Sequence, residues 1–67
     1  MTMATLSQTA VTKATEIAQK TNANAVIIEM MVGEKLQQMA VSEQAYENRV
    51  VQNIEKIATV DPSGAIS

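Results

Sequence analysis

Neither cysteine nor histidine occurs in the 67 residues. Their absence excludes disulfides and metal sites built on thiolate or imidazole ligands. Phenylalanine and tryptophan are missing as well, and Tyr46 is the lone aromatic. Basic residues are few and scattered: Lys13, Lys20, Lys35, Arg49 and Lys56, against a net charge of −2. With no basic patch, the electrostatic footprint of a nucleic-acid binder is absent. The longest apolar-rich run, Ala25 to Val32, is interrupted by Glu29 and falls well short of the roughly 20 residues a membrane span needs. The opening MTMATLSQTA has neither a positive flank nor an apolar run, so no secretory signal is read there. These features point to a soluble, cytoplasmic chain, and the missing cysteine fits a reducing compartment.

What is present is alanine, ten residues of it, and methionine, five. Such side chains suit close helix–helix contacts, and Met adapts to many packings. A chain this short forms one small domain, residues 1–67, and buries only about 60% of the surface its unfolded form exposes. Without disulfides or metal, oligomerisation is the remaining support.

Helical spacing dominates the pattern. Residues 5–21 read as a first helix, with Thr5 and Gln8 as a capping box and a face of Leu6, Ala10, Ala14, Ile17 and Ala18. Residues 22–24, Asn22-Ala23-Asn24, are a candidate turn, although the apolar spacing keeps its phase through them. Residues 25–59 read as a long second helix with a kink, close crossing or helix end at Gly33. The β-branched run AVIIEMMV could also form a strand, but helical spacing continues on both sides of it. Residues 60–67 read as a tail, entered through Asp61-Pro62-Ser63-Gly64. The expected fold is thus all-α: a helical hairpin or one long bent helix, completed by other chains. Its packing stripe is Ile28, Val32, Leu36, Met39, Tyr46, Val50, Ile54 and Ile57.

Chemistry has little to draw on. Glu43 and Glu47 share a helical face, but the ferritin-like di-iron signature also requires histidine. Ser42 and Tyr46 lack a base beside them. No catalytic residue, metal site or cofactor is expected. Glu29, a charge inside the most apolar segment, is the candidate for a pH response, since a buried carboxylate must be paired or neutral.

The run Gln19-Lys20-Thr21-Asn22, then Gly33, Leu36, Gln37, Ala40 and Ser42, then Tyr46-Glu47-Asn48-Arg49-Val50 resembles the killing-trait or R-body family over about residues 16 to 53. The chain differs from that pattern in having Ala23 to Val32 where the family has a Gly- and Pro-containing segment, and Gln37 where the family has Tyr. The resemblance implies a subunit of a coiled proteinaceous ribbon in a bacterial cytoplasm, tied to toxicity and extended when pH falls. The expected function is therefore a non-enzymatic structural subunit of a self-assembling helical polymer, with itself and related subunits as partners. Two alternatives stand beside it: an adaptor or regulator that binds one partner protein through the same stripe, and a secretion rod or needle-like subunit.

Overall fold

A computed structural model describes residues 6–48 and 54–67. Its elements in chain order are α1 (Gln8–Thr21), β1 (Ala25–Val32), β2 (Lys35–Ser42), α2 (Glu43–Glu47) and β3 (Ile54–Val60). The strands form one antiparallel sheet in the order β2-β1-β3. The fold is α+β, which overturns the expected all-α hairpin or long bent helix. Where a helix over 25–59 was expected, the described residues form three strands and the five-residue α2.

The α1 helix starts where Ser7 caps it. The Ser7 hydroxyl accepts from Ala10 N–H at 3.5 Å, and Val11 N–H donates to the Ser7 carbonyl at 2.9 Å. Thr5, the expected cap, lies outside the described residues. The helix ends at Asn22, which adopts the left-handed conformation (φ 52°, ψ 39°) that Asn tolerates better than most residues. The N–H groups of Asn22 and Ala23 both turn back to the Ala18 carbonyl. Thr15 and Thr21 donate their hydroxyls to the carbonyls of Val11 and Ile17, four residues back, which satisfies these side chains within the helix. Ala10, Ala14 and Ala18, spaced four apart, are buried in a seam with nothing longer than a methyl group. That seam packs on Ala25, Ile27, Ala58 and Val60 of the sheet, with Leu6, Val11, Ile17, Ala40 and Ile57 around it.

Strand β1 sits between the other two, and its first four residues, Ala25 to Ile28, are all buried. Alternation sends Ala25 and Ile27 to the α1 face and Val26 and Ile28 to the opposite face. A central strand covered on both faces reads as a continuous apolar run. Three of these four residues are β-branched, a class that loses rotamer freedom in a helix and packs well on a pleated surface.

Gly33 is neither a kink nor a helix crossing. With Glu34 it forms the two-residue loop of the β1–β2 hairpin, closed by Val32 opposite Lys35. Its φ is +64°, whereas Glu34 is not in the left-handed region. Glycine first with an ordinary residue second is the type II′ pattern, whose twist matches that of the flanking strands. On the other side of β1 the pairing slips by one residue between Ile27 and Ile28, so that Ala58 and Lys56 are their partners and Ile57 is the extra residue. Such a bulge bends the strand, and it leaves both Ile57 and Ala58 against the α1 core.

The end of the chain is not a loose tail. Asp61-Pro62-Ser63-Gly64 makes a β-turn closed by Gly64 N–H to Asp61 O at 2.9 Å. Residues beyond it fold back along β3: Val60 bridges Ile66, and Thr59 and Ser67 exchange two main-chain hydrogen bonds of 2.9 and 2.8 Å. The Asp61 carboxylate accepts from the Ser63 hydroxyl (2.5 Å), the Ser63 N–H (2.9 Å) and the Ala65 N–H (3.0 Å).

Gly33→Ala will destabilise the fold by about 1–2 kcal/mol. The space around Gly33 is open, so the cost is one of backbone conformation and will appear as a lower urea midpoint with unchanged slope. Asp61 makes a second test. The Ser63 hydroxyl bond first, and then the Ala65 amide, hold its carboxyl below the ordinary value of 3.8. A depressed folded pKa means that its contribution is complete above 3.8 and is lost as pH falls through the folded value. Amide protection at Thr59 and Ser67 will therefore persist through mildly acid pH and decline only below that value. Asp61→Ala will lower the protection above that value and flatten its pH dependence.

Candidate interaction surface

The expected packing stripe does not lie on one face. Ile28 is buried on the face away from α1, directly opposite Met39 of β2. Ile54 faces the same side, opposite Met30, and Val32 faces it at the hairpin end, opposite Lys35. Leu36 points to the α1 face, where its partner is Met31. Ile57 packs against the α1 core. Tyr46 is half-buried on α2, with the Lys56 ammonium 5.7 Å from its ring centroid, a cation–π distance. Lys56 pairs with Ile28, so this contact draws Tyr46 toward the face opposite α1. Val50 lies outside the described residues. The stripe residues thus divide between the two faces of a sheet because strands alternate their side chains, whereas a helix would have gathered them.

Glu29 is half-buried on the α1 face of β1, flanked by Gln38 on β2 and Glu55 on β3. The Gln38 amide oxygen accepts from Ser7 N–H at 2.7 Å, which ties the start of α1 to β2. An open groove of about 340 Å³ lies between the two elements, lined by Ser7, Ala10, Lys13, Gln38 and Ala40 among others. Among the described residues no cluster of His, Cys, Asp and Glu could hold a metal ion. No described helix is long and apolar enough to cross a membrane.

The two outer edges of the sheet differ. On β3, Glu55 and Lys56 place charges on the strand, the bulge at Ile57 disturbs its regularity, and Ile66 and Ser67 pair alongside Val60 and Thr59. Each is a device that blunts an edge. Among the described residues strand β2 has no bulge and no added pairing, and its one charge, Lys35, sits at the hairpin end. Among the described residues no strand lies beyond it, and from Leu36 to Ser42 it carries neither charge nor proline. Leu36 is 61% exposed and Met39 46%. Reading the chain as helical hid this edge. The signal for it was a glycine-led pair of residues following a run of consecutive β-branched residues.

The chain matches no protein-family model, and no curated protein or solved structure is similar enough to count as a relative. The residues themselves therefore carry the functional argument.

Glu29 and Glu55 are like charges directly opposite each other, which destabilises a sheet. Glu55→Lys will stabilise the protein by about 0.5 kcal/mol, read as a higher urea midpoint. The gain will shrink in high salt as the new attraction is screened.

Proposed function

We propose that this chain is a small non-enzymatic interaction subunit that self-associates through the open edge of β2. The observation that carries the reading is the contrast between the sheet's two edges: β3 is charged, bulged and partly paired, while β2 is regular, uncharged from Leu36 to Ser42 and partly apolar. An unprotected edge of this kind is a template for another strand.

A ribbon of the type implied by the R-body resemblance needs at least two contacts per chain. The β2 edge supplies one, so it favours a finite assembly. Ribbon growth would require a second surface, and the exposed hairpin end with Met31 and Val32 is the best placed. The adaptor reading uses the same edge, which would take an extended segment of another protein as an added strand. The groove between α1 and β2 favours it, because side chains of an added strand could enter there.

Sedimentation velocity over a range of concentrations decides between these readings. The expected result is a discrete oligomer for the natural chain, and a monomer of unchanged circular dichroism for Met39→Lys, which sets an ammonium on the exposed edge. A natural chain that stays monomeric at its highest soluble concentration overturns self-association.

A further inference from the structure

We propose that a second copy of this chain pairs antiparallel with β2 about a twofold axis at Met39, joining the two sheets as β3-β1-β2-β2-β1-β3. The inference rests on the self-association reading above and adds the partner's register.

The register follows from which main-chain groups of β2 turn outward. Glu43 N–H donates to the Asn24 carbonyl at 3.2 Å, so these two residues form a hydrogen-bonded pair continuous with the β1–β2 ladder. Antiparallel ladders alternate such pairs with non-hydrogen-bonded ones. The hydrogen-bonded pairs to β1 therefore fall on Val41, Met39, Gln37 and Lys35. The last closes the two-residue hairpin, as that geometry requires. The main-chain groups of Leu36, Gln38, Ala40 and Ser42 turn away from β1, toward the sheet's outer edge.

Two copies of β2 can exchange ladder bonds only if even-numbered residues meet even-numbered ones. With the axis at Met39, Leu36 meets Ser42 of the second copy and Gln38 meets Ala40, so the whole strand is used. The same register sets Lys35 opposite Glu43, the first residue of α2 in the second copy, twice by symmetry. Neither residue forms an ion pair within the described residues. Shifting the axis to Gln38 puts Lys35 opposite Val41, and shifting it to Ala40 leaves Lys35 beyond the paired strand. Charge complementarity and strand length thus select one register. A twofold contact of this kind is closed, in keeping with the blunted β3 edge.

The chain has no cysteine, so single cysteines report the register directly. In this pairing Met39 faces itself across a non-hydrogen-bonded pair, with Cα atoms about 4.5 Å apart, within the range a disulfide spans. Oxidised in air, Met39→Cys is expected to form a covalent dimer. Gln37→Cys and Val41→Cys should each stay uncross-linked alone, yet cross-link when mixed, because residue 37 faces residue 41. Gln37→Cys also controls for random collision, since Gln37 is exposed as well. If sedimentation shows a dimer but Gln37→Cys or Val41→Cys links to itself, this register is wrong. If it shows a dimer and none of the variants links, the β2 edge is not the interface, although self-association stands. A monomer in sedimentation removes both proposals.

Discussion

The burial of four consecutive residues, Ala25 to Ile28, is the constraint on which the structure depends. A helix cannot easily hide such a run in a protein this small, because each turn points one of the four toward water. A strand flanked by two others hides all four, two on each face, and satisfies its main chain in both ladders. Once β1 is central, β2 and β3 must lie on either side of it and run parallel to each other. The connection between them then has to pass from one edge of the sheet to the other, and α2 lies on that path. The α1 helix covers one face with alanine, which brings the elements close and removes little apolar area from water. The core is consequently thin for its sheet, and Met31, Val32, Leu36 and Met39 remain exposed around it.

The first helix was legible from residue types alone. The α1 helix spans Gln8–Thr21 and breaks at Asn22, within the segment where a helix and then a turn were expected. The remainder was misread for a definite physical reason. Ile28 and Val32 are spaced by four within β1, and four is an even number. Residues four apart share a face in a strand as they do in a helix, so this spacing alone cannot tell the two apart. The deciding signals were chemical. Val26, Ile27 and Ile28 are consecutive β-branched residues, and Gly33-Glu34 has the length and residue order of a hairpin loop. The helical spacing on both sides of this run misled because Leu36 to Val41 and Ile54 to Val60 alternate too weakly to be seen as strands. Tertiary pairing overrides that weak local preference.

The candidate site shows the same division. Glu29 was singled out as a charge within an apolar run, and the fold gives it neighbours: Gln38 on one side and Glu55 on the other. The packing stripe lost its unity because alternation sent Leu36 to one face and Met39 to the other. Gln38, which ties the start of α1 to β2, had no distinguishing signal, since glutamines abound in the sequence and only the fold brings this one to Ser7.

The sheet's edges impose the remaining constraint. A three-stranded sheet always has two, and a protein without aromatic bulk has little with which to cover them. Here the chain disposes of one with its own residues, turning at Asp61 so that Ile66 and Ser67 pair alongside β3. The turn is well determined: an aspartate accepting three hydrogen bonds, a proline where φ must be near −65°, and a glycine at φ +92°. Among the described residues nothing comparable guards β2, although one lysine midway along it would suffice. Lys35 and Glu43 instead stand just outside the uncharged stretch, one at each end and of opposite sign. Charges placed like this do not repel an antiparallel copy of the same strand; they meet their complements. A parallel copy in register would set lysine against lysine and glutamate against glutamate. The pattern of charge along β2 therefore does more than leave an edge open: it discriminates between the two ways a second copy could approach it.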